Sequence, residues 1–270
     1  MSIAIVTGAS SGIGREFAKG LAERGIDEIW LVARREERLA ALGEELGIKY
    51  KVICADLCTD EGLCRLKVTL EENKPSVKYL VNAAGFGDFG AFDELSEEDI
   101  ARMIDLNAKA LTLITHFTVP YMERGGRIVQ LGSGSAFTPL PYFNVYAATK
   151  AYVVHYTKAL NYELKKYGVR ALCFCPGWVH TEFIDKAKSG GGKTQPQGER
   201  LRPLLCCESA VKKALSAMDK GKSVYRIGTF TKLQHLLYKL LPTEILTKGW
   251  LAFSFDKKEL SARNERKELK

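Results

Sequence analysis

Thr7-Gly8-Ala9-Ser10-Ser11-Gly12-Ile13-Gly14 is the stretch from which the fold can be read. It follows Ile3-Ala4-Ile5-Val6, a short apolar run that reads as a buried strand. Behind it Phe17, Ala18, Leu21 and Ala22 recur at helical spacing. The glycines are therefore expected in a strand-to-helix turn opening onto a helix N-terminus, where free backbone N–H groups and the helix dipole favour a phosphate. In that turn Gly8 permits the sharp bend, Gly12 lets a pyrophosphate approach the backbone and Gly14 lets the helix pack on the sheet. Ser10, Ser11 and Ile13 fall in the same cradle. The spacing is TGxxxGxG rather than GxGxxG, so the commoner dinucleotide fingerprint fails. An ordinary glycine turn is the plainer alternative, and the rest of the chain has to decide.

The chain has 270 residues, enough for one large α/β domain with a full core. No linker composition divides the first 180 residues. The formal charge is +8. Much of the excess lies after Lys257, and the other basic residues are scattered among acidic ones, which argues against a nucleic-acid groove. Seven cysteines show no CxxC spacing and read as reduced thiols in a reducing compartment, the cytoplasm. The histidines, 116, 155, 180 and 235, have no metal-ligand spacing, so no metal site is expected. The N-terminus does not read as a signal peptide, and no apolar run is long enough to span a bilayer.

Strand and helix patterns alternate. Strands are expected over Glu28–Ala33, Tyr50–Ala55, Val77–Asn82, Arg127–Gly132 and Val169–Cys175. Helices are expected over Glu36–Leu46, about 60–73, Ser96–Glu123 and about 144–167. The pattern implies a doubly wound, Rossmann-like parallel sheet covered on both faces, with ligands at the carboxyl ends of its strands near the switch point. Residues 1–228 are expected to form this nucleotide-binding catalytic domain, and 229–270 a helical extension with a charged tail.

Cofactor choice is read at the end of the second strand. Folds that use NAD place an acid there for the ribose 2′-hydroxyl. Here Ala33 stands in that place, followed by Arg34 and Arg35. No carboxylate repels a 2′-phosphate, and guanidinium groups match phosphate geometry, so NADP is expected. The alternative is a solvated helix start in which the arginines pair with Glu36 and Glu37. Asp56, next to Leu57 after the third strand, either accepts from the adenine amine or caps the helix that follows.

After the fifth strand comes Leu131-Gly132-Ser133-Gly134-Ser135, and then Tyr146-Ala-Ala-Thr-Lys150. Tyr146 and Lys150 are i and i+4 and share one helix face. A nearby ammonium is expected to lower the phenol pKa from its ordinary value near 10. A surface Tyr/Lys pair has the same spacing; what is specific is the combination of phosphate turn, serine and tyrosine–lysine helix.

These motifs together resemble the short-chain dehydrogenase/reductase family. Thr7-Gly8-xxx-Gly12-x-Gly14 is similar to its cofactor motif. Asn82-Ala83-Ala84-Gly85 is similar to its NNAG segment, with Ala83 in place of the second Asn. Asn107, Ser133, Tyr146 and Lys150 match its catalytic tetrad, and Pro176-Gly177-Trp178-Val179-His180-Thr181 resembles its PGxVxT segment. The resemblance runs over residues 1 to about 185, and more loosely to about 228. It implies hydride exchange between nicotinamide and a carbonyl carbon. Tyr146 would give the proton, Ser133 would hold the carbonyl oxygen, Lys150 would bind the nicotinamide ribose, and Asn107 would support a proton-supplying water chain. Ser135 would be a second donor, though its spacing departs from the motif. Asn82, Ala84 and Gly85 would line the adenosine ribose and phosphates through backbone groups, and the carboxamide would be met by the Val179 backbone and the Thr181 hydroxyl. A homodimer or homotetramer is implied as well.

Glu182 to Pro203 contains a glycine run and is expected to form a mobile lid. Phe86, Phe89, Phe137, Tyr142, Phe143, Trp178 and Phe183 flank the motif loops; of these Phe86, Tyr142, Trp178 and Phe183 are expected at the substrate, favouring a bulky apolar one. Between Phe230 and Phe255 an apolar stripe runs through Leu233, Leu236, Leu237, Leu240, Leu241, Ile245 and Leu246, then Trp250, Leu251 and Phe253. It is expected to pack on its own core or a partner subunit and add to the substrate pocket from its first turn. A lid, or a membrane-surface helix with Lys232, Lys239 and Lys248 toward headgroups, is the less favoured reading. The expected activity is an NADP-dependent ketone–alcohol oxidoreductase; a catalytically silent NADP-binding regulator of the same fold is the alternative.

Overall fold

A computed structural model describes residues 1–189, 191–196, 204–228, 237 and 240–255. Seven parallel strands form one sheet in the order β3-β2-β1-β4-β5-β6-β7. They are β1 Ser2–Thr7, β2 Glu28–Ala33, β3 Lys49–Cys54, β4 Ser76–Asn82, β5 Met122–Leu131, β6 Arg170–Pro176 and β7 Val224–Ile227. The helices are α1 Gly12–Ala22, α2 Glu36–Leu46, α3 Asp60–Asn73, α4 Glu97–Ile104, α5 Leu111–Thr118, α6 Asn144–Glu163, α7 Glu182–Ser189, α8 Cys207–Asp219 and α9 Thr243–Ser254.

Alternate residues of one strand feed two cores. Ala4 and Val6 of β1 pack with Phe17 and Leu21 of α1, Leu39 and Leu42 of α2, and Val211 and Leu215 of α8. Ile3 and Ile5 face the other way, onto Leu63, Leu66 and Leu70 of α3 and Ile114 of α5. A sheet covered on both faces needs apolar residues at every position, which is why these strands read as continuous apolar runs. The sheet reverses its building direction between β1 and β4, and the loops leaving their carboxyl ends part there.

Most boundaries agree with the sequence expectation to within a residue. Thr59 caps α3 by accepting from the Gly62 N–H at 3.0 Å, and Asp60 and Glu61 favour its first turn. The segment expected as one helix over Ser96–Glu123 differs. It is broken by a wider turn at Asp105–Ala110 and ends in a 3₁₀ turn at Val119–Tyr121. Pro120 lacks an N–H and cannot continue the ladder. Glu123 lies in β5, where its carboxylate accepts from the hydroxyls of Ser2 at 2.8 Å and Ser76 at 3.1 Å. Helix α8 and the short strand β7 were not assigned from sequence. The start of the expected lid, Glu182–Ser189, is helical. Phe230, Lys232, Leu233, Leu236, Lys239 and the tail after Lys257 lie outside the described residues.

Candidate active site

The glycine turn lies at the switch point as expected. Gly8 has φ +69° and Gly12 φ +53°, values that favour glycine. A Cβ on Gly8 would stand 2.7 Å from the Ala84 nitrogen, so the turn is pressed against the loop after β4. That loop is tied down by the Ala84 N–H, which donates to the Thr7 hydroxyl at 3.2 Å. A Cβ on Gly14 would run into the Gly8 carbonyl. Ser11, at the cap of α1, makes no capping bond, and no acid sits in the first turn. The first amides of α1 thus face the cleft with a positive dipole end behind them, a donor set that fits a pyrophosphate.

From this turn a cleft of about 700 Å³ runs in two directions. Toward β2 it is lined by Ser10, Ser11, Ala33, Arg34, Arg35, Asp56 and Leu57. Arg35 donates to Ser11 Oγ at 2.8 Å, to Ser10 Oγ at 3.1 Å, and to Glu182 Oε2 at 2.9 Å. It does not pair with Glu36 or Glu37, the alternative open at the sequence level. Arg34 is more exposed, 3.9 Å from Asp56. Asp56 Oδ1 accepts the Cys58 N–H at 3.0 Å, and Oδ2 accepts from Arg102 at 3.1 Å. Burial works to raise its carboxyl, but the Cys58 amide and the Arg102 guanidinium hold it below its ordinary range. Asp56 is a turn residue whose two oxygens are already engaged.

In the other direction Ser133, Tyr146 and Lys150 meet. Phe143 and Phe183 bracket the Tyr146 ring at centroid distances of 4.4 Å and 5.3 Å. The Lys150 ammonium is 5.5 Å from the same ring and donates to the Leu131 carbonyl at 2.7 Å. Burial pushes the Tyr146 phenol well above its ordinary pKa, and the Ser133 hydroxyl pulls part of the way back. Burial also lowers the Lys150 ammonium to about 8. The expected depression of the phenol is therefore not met in the protein alone. Lysine and tyrosine share one poorly solvated pocket, which disfavours the ammonium and the phenolate alike.

Asn107 sits behind the cleft, fully buried, in the wide helical turn between α4 and α5. Its Oδ1 accepts the Phe86 N–H at 3.1 Å, and its Nδ2 donates to the Phe86 carbonyl at 2.8 Å and to Thr149 Oγ1 at 3.1 Å. It joins the loop after β4 to the helix carrying Tyr146. Ser135 lines the cleft; its N–H donates to Ser133 Oγ at 3.2 Å, and its own buried hydroxyl has no protein partner.

Ile13, Ala83, Ala84, Gly85, Pro176, Gly177, Val179 and Thr181 all line the cleft, as do Phe86, Trp178 and Phe183. Besides Asn107, two expected residues do not. Asn82 is a core residue whose Nδ2 donates to Thr115 Oγ1 and Gln130 Oε1, each at 3.0 Å. Tyr142, at φ +65°, turns its ring onto Phe255, 5.0 Å away. Phe89 and Phe137 are core. Sequence reasoning gave no individual role to Thr7, Thr149, Leu140 or Glu182; Thr149 lies inside the tyrosine–lysine motif, and Glu182 directly follows Thr181. The C-terminal stripe closes the apolar end: Leu237, Leu241, Ile245, Leu246, Gly249, Trp250 and Phe253 line it, and Trp250 Nε1 donates to the Pro141 carbonyl at 3.0 Å.

A parallel sheet switching direction at a glycine turn, with tyrosine and lysine one helical turn apart beside it, defines an oxidoreductase fold built for a nicotinamide nucleotide. The chain belongs to the short chain dehydrogenase family, whose profile matches residues 2–190. It is 34% identical over 257 residues to an 11-beta-hydroxysteroid dehydrogenase of Pinus massoniana, covering 90% of this chain and 71% of that protein. It is 34% identical over 188 residues to the inactive hydroxysteroid dehydrogenase-like protein 1 of Homo sapiens, covering 67% of this chain and 56% of that one. Among solved structures, a short-chain dehydrogenase from Sphingobium yanoikuyae in complex with NADPH superposes with a TM-score of 0.76 at 30% identity, covering 87% of this chain and 92% of that one. No described helix is long and apolar enough to cross a membrane, and no described group of His, Cys, Asp or Glu could hold a metal.

Proposed function

We propose that this chain is an NADP(H)-dependent oxidoreductase that interconverts a ketone and a secondary alcohol on a bulky apolar substrate. The observation that carries the reading is the polarity of one continuous cleft. Arg34 and Arg35 stand at one end, and aromatic and aliphatic side chains at the other, with Ser133, Tyr146 and Lys150 between them. The cofactor supplies the hydride when bound. Ser133 orients the carbonyl oxygen and Tyr146 donates the proton, for which a raised phenol pKa keeps it protonated. Lys150 is placed for the nicotinamide ribose. The buried Ser135 hydroxyl, with no protein partner, suits a second bond to substrate. Asn107 acts by positioning the Phe86 loop and Thr149. Ring-lined walls favour a steroid-like or long-chain acyl ketone over a sugar, in keeping with a hydroxysteroid dehydrogenase among the relatives. Residues 1–228 form the catalytic domain, and the segment after 228 completes the substrate end.

A homodimer or homotetramer, formed through the helices carrying Asn107 and Tyr146, is part of the proposal. α6 exposes Tyr152, which stacks with Tyr156. The cysteines carry no disulfide, which suits the cytoplasm. The inactive relative keeps a second reading in view, a silent NADP-binding protein of the same fold. NADPH oxidation over ketosteroids, ketoacyl thioesters, diketones and small aldehydes separates the two. Turnover concentrated on the large apolar ketones is the expected result. Tight NADPH binding with no turnover on any of them selects the silent reading.

A further inference from the structure

At the rim of the arginine end, basic residues converge on one carboxylate. Glu182, the first residue of α7, accepts from Arg35 Nη1 at 2.9 Å through Oε2 and from Arg38 Nη1 at 2.6 Å through Oε1. Lys186, one turn further along α7, stands 3.2 Å from Oε2. Arg35 also reaches back to the Ser10 and Ser11 hydroxyls of the glycine turn. These pairs join the start of α2 to the start of α7 across the cleft, and Arg35, Glu182 and Lys186 all line it. Hydrogen bonds from Arg38 and Arg35 hold the Glu182 carboxyl near 2, so its charge is present at every working pH. A carboxylate gripped by two guanidinium groups occupies the geometry that a phosphate monoester takes from the same groups.

We propose that Glu182 is an intramolecular competitor for Arg35 and Arg38, displaced from them by the cofactor's 2′-phosphate and ready to retake them when the cofactor leaves. The proposal rests on the NADP reading above. The phosphate brings about −1.5 to −2 charges and three acceptor oxygens against one charge and two oxygens, so it wins the exchange. Lys186 keeps Glu182 partnered after the exchange, which limits its cost. A nucleotide with a free 2′-hydroxyl cannot displace the carboxylate and leaves the pairs across the rim. Glu182 thereby sets the affinity for the phosphorylated cofactor below what the arginines alone would give, and shortens its residence.

Calorimetric binding of adenosine 2′,5′-bisphosphate and of AMP to the full chain, with Glu182→Gln and Glu182→Asp alongside, tests this without turnover. The wild type is expected to prefer the bisphosphate. Glu182→Gln should tighten the bisphosphate about 3- to 10-fold, the size of one or two exposed ion pairs, and leave AMP unchanged. Glu182→Asp should fall between. A bisphosphate preference that Glu182→Gln leaves unchanged or weakens overturns the proposal while the NADP reading stands. Loss of AMP affinity in Glu182→Gln also overturns it, because the carboxylate would then be holding the 2′-hydroxyl. A wild type indifferent to the 2′-phosphate overturns the NADP reading and this proposal together.

Discussion

At the residue scale the reactive end is governed by shared burial. Tyr146→Phe keeps the ring between Phe143 and Phe183 and removes only the hydroxyl. Turnover should fall roughly 10²-fold or more while NADPH affinity stays near that of the wild type. Near-normal single-turnover rates would remove Tyr146 from proton transfer. Lys150 makes a separate prediction about stability. Its ammonium titrates near 8 in the folded chain and near its ordinary 10.5 when unfolded. Below pH 8 both states hold the proton, and the folded state carries the full cost of burying the charge. Between pH 8 and 10.5 the unfolded chain holds the proton that the folded chain has lost, so this contribution to stability rises with pH. Lys150→Met lacks it. The Tm advantage of Lys150→Met over the wild type should be constant below pH 8 and shrink as pH rises above it. A constant difference up to pH 10 would mean that the lysine is better solvated than its surroundings suggest.

At the element scale the glycine turn is the joint on which nucleotide binding depends. A Cβ at position 14 meets the Gly8 carbonyl, a backbone atom with no rotamer to give way. Gly14→Ala should lower Tm and abolish nucleotide binding by pushing α1 off the turn; unchanged binding would show that the turn can spread. The same turn was legible in the sequence because its residue types are dictated locally. So were β2, α2 and α3, which agree with expectation at both ends or nearly so. Their limits are set by local devices such as Thr59 and the left-handed Gly47. What escaped the sequence is what distant contacts decide. The break at Asp105–Ala110 has no local breaker; it accompanies the bonds of Asn107 to Phe86 and Thr149. Glu123 joins β5 through the hydroxyls of Ser2 and Ser76. Tyr142 was expected at the substrate from its neighbours in sequence, yet its ring is taken by Phe255. The motif implied only a backbone contact for Asn82; that its side chain ties β4 to β5 and α5 had no signal in the sequence. Arg34 and Arg35 line the cleft at the end of β2, but Glu182, which joins Arg35 and Arg38 from the far side, has no local signature.

At the scale of the whole molecule the catalytic sheet and the C-terminal segment share one cleft. Truncation after Gly228 removes Leu241, Ile245, Trp250 and Phe253 from its wall and uncovers Leu140, Phe143 and Phe183. The truncated chain should bind more of a hydrophobic dye and lose affinity for large ketones far more than for small ones. Equal effects on both sizes would place the segment outside substrate selection. The strand order carries a further consequence, for the chain's birth rather than its chemistry. The earliest made of these seven strands, β1, ends up inside the finished sheet: Val6 pairs with Leu31 on one side and Val81 on the other. At about 5–20 residues per second, β4 emerges on the order of seconds after β1. Through that interval the nascent chain carries an apolar strand with one edge unclaimed, the period in which a chaperone has something to hold.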